Sequence, residues 1–185
     1  MQSFIQRMIG AAKLQAPTYE EVEHDHSATG QAALVVALAA LAAGIGAMGA
    51  IGGSIGFLLL NAVVALLAWL IWAAIIWVVG TKLLPEAQTE ADIGQLLRTL
   101  GFAATPGLLR VFGIIPVLGQ IVWVVVSLWM LATTVIAVRQ ALDYQSTGRA
   151  VGVCVIGWLA QLLILALFAG AASMGMGGGS PAPAI

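Results

Sequence analysis

The sequence predicts an all-α membrane protein, a polytopic bundle of five transmembrane helices preceded by an amphipathic amino-terminal helix. Composition is the first observation, since 61% of the 185 residues are hydrophobic and 8% are charged, whereas roughly 25% are charged in soluble domains. The second is that the stretch from Ser27 to Thr81 contains no Asp, Glu, Lys or Arg. Because about 20 apolar residues cross a bilayer core, two spans fit within that stretch alone.

Residues 1–29 are predicted to be a cytoplasmic region made of an amphipathic helix and an acidic linker. Between Met1 and Leu14, helical spacing places a set of apolar side chains on one face: Phe4, Ile5, Met8 and Ile9. Such a face predicts a helix that lies in the membrane interface. The alternatives are a helix that packs against the other spans and a frayed terminus. Pro17 ends this helix, and Thr18–Thr29 form the acidic linker.

The membrane domain is predicted to cover residues 30–172, with spans at about 31–50, 57–80, 95–111, 120–138 and 150–171. A turn containing Gly52 and Gly53 joins the first two spans into a hairpin. The third span is short and contains Pro106, so it either crosses fully or forms a re-entrant pair with the residues that follow. We predict a full crossing. Residues 173–185, rich in Gly and Pro, are predicted to be a flexible tail.

The basic residues support this span count. With a cytoplasmic amino terminus and five spans, every basic residue except Arg110 lies on the cytoplasmic side, as the positive-inside rule requires: Arg7, Lys13, Lys82, Arg98, Arg139 and Arg149. A re-entrant third segment would place some of them on the wrong side. The chain is therefore predicted to be a multi-pass protein of the cell inner (plasma) membrane, with its carboxyl terminus opposite the cytoplasm.

The first span and the turn after it are rich in glycine. Gly44, Gly46 and Gly49 match the pattern G-x-G-x-x-G, but the dinucleotide fingerprint needs a preceding strand and a helix amino terminus that faces a pyrophosphate. Here the pattern lies within lipid, where small residues let another helix approach closely. We therefore predict a helix-packing interface at Gly44, Gly46, Gly49, Gly53 and Gly56.

Polar side chains are few within the predicted spans. They are Asn61, Ser127, Thr133, Thr134 and Gln161. We predict that they form hydrogen bonds between helices, and the alternative is that they line a pore. None of them is ionisable, whereas transporters and pumps usually keep an ionisable residue within the membrane.

The sequence predicts no catalytic, cofactor or metal site. Within the spans, no histidine or carboxylate lies near a serine or the single cysteine, Cys154, so no nucleophile and base can be paired and the protein is predicted not to be an enzyme. His24 and His26 stand among carboxylates, which fits either a weak surface metal site or, as we predict, a solvated linker. We expect bound lipid as the only bound small molecule.

The basic residues also bear on possible partners. The chain carries a net charge of −1, and its 7 basic residues are scattered, so they form no stripe that could neutralise phosphates. Binding to nucleic acid is therefore not expected.

Three stretches carry a resemblance to a known family. They are Thr18–Ala32 (TYEEVEHDHSATGQA), Leu96–Gly119 (LLRTLGFAATPGLLRVFGIIPVLG) and Arg139–Trp158 (RQALDYQSTGRAVGVCVIGW). Together they resemble bacterial members of the Yip-domain family, whose eukaryotic relatives are Ypt/Rab-interacting membrane proteins of the early secretory pathway. The resemblance implies five spans and a cytoplasmic amino-terminal region, which in the eukaryotic relatives is associated with GTPase or coat partners.

Three functional hypotheses follow. The first is a non-enzymatic membrane scaffold or accessory subunit that binds other integral membrane proteins, or a second copy of itself, through small-residue helix faces. The second is a small channel or facilitator lined by the intramembrane polar residues. The third is a lipid-organising or curvature-sensing protein that uses the amphipathic helix. Membrane lipids are expected partners in all three.

Overall fold

The computed structural model describes residues 2–115 and 117–176, and it describes side-chain surroundings within those ranges except at residues 49–51, 165 and 167–176. In chain order the elements are α1 (Phe4–Ala12), α2 (Ala16–His24), α3 (Ala28–Ile51), α4 (Ile55–Val78) with the π-helical turn Val79–Leu83, α5 (Ile93–Ala103), the 3-10 helix Thr105–Ile114, α6 (Leu118–Ala141) and α7 (Thr147–Met176). The described residues contain no strand, so the predicted all-α class is confirmed for them.

Four helices are long and apolar enough to cross a membrane: α3, α4 with its π-helical turn, α6 and α7. They correspond to the predicted spans 31–50, 57–80, 120–138 and 150–171. The turn between α3 and α4 contains Gly52 at φ +68°, a conformation that glycine adopts without steric cost. Helix α7 continues through Met176, beyond the predicted start of the tail at residue 173, and residues 177–185 lie outside the described part.

The five-span count is not confirmed, because the third predicted span is not one continuous helix. Residues 95–111 are divided between α5, with 11 residues, and the 3-10 helix, with 10 residues. Each half is shorter than the stretch of about 20 residues that crosses a bilayer as one α-helix. The break falls where Pro106 lacks the N–H group that would continue an α-helix.

This broken element lies inside the bundle, alongside α3 and α6. Small residues of the element contact successive positions of α3: Gly101 lies against Ala32, Gly107 against Ala39 and Gly113 against Gly46. Residues 98–103 are buried. The irregular backbone near Pro106 is therefore surrounded by protein, which is the condition for tolerating it at membrane depth.

The predicted acidic linker, Thr18–Thr29, instead contains most of a second helix. Helix α1 ends at Ala12, before Pro17, but Pro17 then lies in the first turn of α2. A proline is favourable there because the first N–H groups of a helix have no intrahelical partner. Four residues of α2 are buried against the bundle: Thr18, Tyr19, Val22 and Glu23. A solvated linker would leave its side chains exposed to water, whereas these four side chains are buried.

Candidate functional site

Helices α1 and α2 form an N-terminal hairpin, residues 4–24, that packs on α5, α6 and the 3-10 helix. Ser3 begins α1 with a capping box, in which its hydroxyl oxygen accepts from the Gln6 N–H and the Gln6 side chain accepts from the Ser3 N–H. Leu14, in the connecting turn, has φ +61°. The hairpin is therefore an ordered part of the protein.

Arg7 holds the two helices of the hairpin together. Its guanidinium donates to Glu21 Oε1 at 3.0 Å, to Asp25 Oδ2 at 2.7 Å and to Gln31 Oε1 at 3.1 Å, and the residue is only 2% exposed. A hydrogen bond from the Gln2 N–H and the contact with Arg7 lower the pKa of Glu21. Hydrogen bonds from Ser27 and Arg7 lower the pKa of Asp25. Arg7 therefore ties α1 to α2 and to the start of α3.

The turn of the hairpin satisfies the last carbonyl groups of α1 inside the protein. The carbonyls of Ile9 and Gly10 accept from the N–H groups of Lys13 and Gln15. Two side chains complete the set: the Tyr19 hydroxyl donates to the Ala11 carbonyl at 3.0 Å, and the Trp129 indole N–H donates to the Ala12 carbonyl at 2.7 Å. A helix end whose carbonyls are satisfied this way can lie in lipid.

The tip of the hairpin lies far along α6. Trp129, which binds the Ala12 carbonyl, is about 18 Å from the end of α6 at Ala141 if each residue rises 1.5 Å. Leu14 shares a cavity with Leu131 and Val135 of the same helix. The hairpin therefore runs beside α6 over a distance that is about half of a bilayer core about 30 Å thick.

The apolar face of α1 is divided between protein and a groove. Phe4 and Met8 pack against the core, and the Phe4 ring meets Phe102 edge-on at 6.3 Å between centroids. Ile5 and Ile9 are 65% and 49% exposed. They line a groove of about 390 Å³ with further side chains from the 3-10 helix and α6: Pro106, Leu109 and Trp129. Helix α1 thus packs on the spans and also exposes apolar surface.

A second polar group lies at the carboxyl end of α2. The Arg98 guanidinium donates to the backbone carbonyls of Val22 and Glu23, which satisfies carbonyls that the end of α2 leaves free. The Glu23 carboxylate accepts from the Gln95 amide at 3.0 Å. Burial is the main reason that the pKa of Glu23 rises to about 7, and the negative charges of Asp143 and Glu20 add to it.

The glycines of the predicted small-residue interface do not form one surface, because some are buried within the protein and others are exposed. Gly44 and Gly46 are buried, with Gly44 against Leu58 of α4 and Gly46 against the Arg110 carbonyl of the 3-10 helix. Gly53 and Gly56 are exposed at the turn and the start of α4. Gly49 lies in α3, but its surroundings are outside the described part of the chain. Gly44 and Gly46 are therefore occupied by this chain's own elements.

The predicted intramembrane polar residues have different surroundings and different hydrogen-bond partners. Asn61 donates to the Ala40 carbonyl at 2.7 Å, Thr133 donates to the Ala103 carbonyl at 2.8 Å, and Ser127 accepts from Arg110 at 3.2 Å. Thr134 and Gln161 are half-buried and make no hydrogen bond between helices among the described residues. Of these five residues, Asn61 lines a partly open pocket of about 220 Å³, which Arg110 also lines.

Sequence reasoning missed the roles of Arg7, Arg98 and Glu23, which form the polar contacts of the hairpin. It placed Arg7 and Arg98 among the cytoplasmic charges, because charged residues in short connecting segments are ordinarily solvated. One signal was available: Arg7 precedes a run of carboxylates by only a few helical turns. Arg98 and Glu23 are 75 positions apart, so no local pattern connects them.

One of the comparisons with known proteins identifies a family. The model of the Yip1 domain matches residues 14–169, which include α2, the four candidate spans and the broken central element. Neither the curated proteins nor the solved structures compared with the chain match it. Because the matched range covers most of the chain, this protein belongs to the Yip1 domain family.

Proposed function

We propose that this chain is a non-enzymatic membrane protein that organises lipids or senses curvature by inserting its N-terminal hairpin into one leaflet. The observation that carries the proposal is the position of the hairpin: its tip lies beside Trp129 of α6, its helix-end carbonyls are satisfied within the protein, and Ile5 and Ile9 are exposed. Apolar surface that lies level with a membrane span is stabilised by contact with acyl chains.

We also propose that the chain crosses the membrane in five segments, with its amino terminus in the cytoplasm. Between Ala32 and Gly46, α3 advances about 21 Å, and the broken element follows it over this length. With α5 and the 3-10 helix end to end, the element is about 36 Å long, which is enough to cross. The cytoplasmic leaflet then contains α1 and α2 in addition to five segments, so the protein is wider there.

A wider cytoplasmic half favours a membrane whose cytoplasmic leaflet is convex. The test is to reconstitute the full chain in giant vesicles with its cytoplasmic side outward and to pull a thin membrane tube. We expect enrichment of the protein in the tube relative to the flat membrane. Changing the exposed residues Ile5→Gln and Ile9→Gln together should reduce that enrichment, because polar side chains weaken insertion of the hairpin.

Val117→Gln is the matched control, since Val117 is 86% exposed but lies at the opposite end of the spans. Its enrichment should equal that of the wild type. Equal densities of the wild type in tube and flat membrane would refute the proposal.

In the same vesicles, we propose that the groove beside Ile5 and Ile9 holds a lipid acyl chain, because its lining is almost entirely apolar.

A scaffold role is the second candidate, with a different interface from the one predicted. Gly44 and Gly46 already contact α4 and the 3-10 helix, so a partner would need another face. Helix α4 has such a face, on which large aliphatic side chains at helical spacing are more than half exposed: Leu60, Val64, Leu67 and Ile71. Lipid or another membrane protein can cover it.

Purification from the native membrane in mild detergent tests this role. We expect a stoichiometric partner that is lost when Val64→Trp and Leu67→Trp are introduced together, because bulky rings prevent close helix packing. The matched control is Leu162→Trp with Leu163→Trp, two exposed positions on α7. A wild-type chain that purifies without a partner, or a partner retained by the α4 variant, would exclude this interface.

A further inference from the structure

Three side chains that can bind a metal lie together at the end of the N-terminal hairpin. They are Glu20, Glu23 and His24, and one oxygen or nitrogen atom from each lies within 4.8 Å of the others. Residues three and four apart share a face of a helix, so α2 itself brings Glu20 beside Glu23 and His24. Zinc binds such atoms at about 2.0–2.2 Å. The exposed Glu20 and His24 side chains would therefore have to rotate toward Glu23, and Glu20 would use the oxygen that does not accept from Gln140 or would give up that hydrogen bond.

The Glu23 carboxylate provides an independent indication of a ligand. The residue is 1% exposed, and its Oε1 accepts from the Gln95 amide at 3.0 Å. Its Oε2 is buried and has no hydrogen-bond partner among the described residues. A buried carboxylate oxygen without a partner is costly, and a bound cation beside it would remove that cost.

The orientation of His24 also suits metal binding. Its Nδ1 lies 2.9 Å from the Glu20 backbone carbonyl. With the proton on Nδ1, this nitrogen donates to the carbonyl, and Nε2 keeps a free lone pair. Histidines that bind metals commonly use one ring nitrogen for such a bond and the other for the metal. The exposed ring leaves Nε2 accessible to an ion.

The local charges favour a cation. Glu20 and the nearby Asp143 place negative charge beside Glu23, and burial together with these charges raises the pKa of Glu23 to about 7. Arg98 is the basic group close to Glu23, but its guanidinium donates to the backbone carbonyls of Val22 and Glu23. The carboxylate group therefore keeps an oxygen available.

We propose that Glu20, Glu23 and His24 form a binding site for a divalent transition-metal cation. Two carboxylates and one imidazole suit Zn²⁺ and its neighbours in the first transition row. Ca²⁺ and Mg²⁺ prefer sets made of oxygen ligands alone. Water molecules would complete the coordination on the exposed side of α2. A metal there would hold the end of α2 rigid beside Gln95 and the loop that contains Asp143.

The test is calorimetric titration of the full chain, purified in detergent and stripped with chelator, with Zn²⁺ alone. We expect one equivalent to bind. His24→Ala and Glu23→Gln should each weaken binding by at least about tenfold, because even loss of a group that only supports a ligand costs about that much. His26→Ala and Glu90→Gln are the matched controls, because both residues are exposed and outside the cluster, and they should bind within about twofold of the wild type.

Three results would overturn the site: no Zn²⁺ binding by the wild type, equal binding by His24→Ala, or binding of Mg²⁺ or Ca²⁺ as tight as that of Zn²⁺. His24→Ala keeps the test valid if Glu23→Gln fails to fold, since His24 is exposed. Substitution with Co²⁺ gives a second readout. Visible absorption bands from bound Co²⁺ should appear in the wild type and in His26→Ala and disappear in His24→Ala.

Discussion

At the scale of single residues, the positions that matter most are those where a polar atom or a missing side chain meets another element. Glu23 is a carboxylate buried between α2 and α5, with Gln95 and Arg98 on α5, Glu20 and His24 on its own helix, and Asp143 in the connection after α6. Gly46 is a position where a backbone carbonyl of the 3-10 helix takes the place of a side chain.

Glu23 makes stability depend on pH near neutrality. Its pKa rises from the ordinary value of 4.5 to about 7, so between these values the folded state binds more protons than the unfolded state. Stability should therefore fall as the pH rises. The pKa of His24, raised by its hydrogen bond to the Glu20 carbonyl and by the charge of Glu23, acts in the same direction.

The prediction is measured with chelator present, as the thermal unfolding midpoint from about pH 5 to about pH 8. The wild-type midpoint should fall across this range. Glu23→Gln should reduce the accompanying loss of unfolding free energy by an amount on the order of 2 kcal/mol. Glu90→Gln, at an exposed position, should retain the wild-type slope. An unchanged slope in Glu23→Gln would show that this carboxyl group does not titrate in that range.

Gly46→Ala should destabilise the protein by about 1–3 kcal/mol, because the new methyl group would overlap the Arg110 carbonyl. Gly30→Ala is the matched control in the same helix, since a methyl group there meets nothing within 4 Å. It should stabilise by about 0.5–1 kcal/mol. Thermal unfolding in one detergent compares the two variants, and a Gly46→Ala variant as stable as Gly30→Ala would contradict the packing described.

At the scale of elements, polar contacts hold the N-terminal hairpin at separate points. Arg7 joins α1 to Glu21, Asp25 and Gln31, and the Trp129 indole joins the end of α1 to α6. The central broken element is held differently, by the approach of small residues to α3. Loss of one polar anchor should therefore release the hairpin before it disturbs the spans.

Arg7→Ala should loosen the hairpin, because it leaves the Glu21 and Asp25 carboxylates without their cation. Hydrogen exchange at residues 4–12 measures the effect and should accelerate, while exchange in α6 stays slow. Lys13→Ala is the control, because Lys13 is exposed and should leave exchange unchanged. Wild-type protection of α1 in Arg7→Ala would mean that apolar packing alone holds it.

At the scale of the whole molecule, the path of the chain through the membrane decides how its two halves differ. The hairpin lies near the end of the bundle that contains the α6–α7 connection, since Gln140 donates to Glu20. The connection after α4 lies there too, because the Tyr144 hydroxyl contacts the carbonyls of Gly80 and Leu84. Val117 lies at the opposite end of α6.

Cysteine labelling tests the five-segment path. In a Cys154→Ala background, single cysteines are introduced at exposed positions: Glu90→Cys, Val117→Cys and Gln145→Cys. A maleimide that cannot cross the membrane should react with Val117→Cys on one side and with the other two on the opposite side. Labelling of Glu90→Cys and Val117→Cys on the same side would mean that the broken element is re-entrant.

The sequence by itself determined that the protein lies in a membrane and where its four long apolar helices are. Long uncharged stretches require lipid, and the same apolar runs place α3, α4, α6 and α7, because backbone groups in lipid must be satisfied within a helix. Residue patterns over three stretches were also sufficient to indicate the Yip-domain family. These signals are local or compositional, so they can be read without knowing which segments meet.

Only the tertiary structure decided which residues share a site. It turned part of an acidic linker into α2, buried Arg7 and Glu23, and divided the third predicted span at Pro106. Each outcome depends on contacts between distant positions, such as Arg98 with Glu23 and Trp129 with Ala12. A charge is solvated or buried according to what packs over it, and that partner lies elsewhere in the chain.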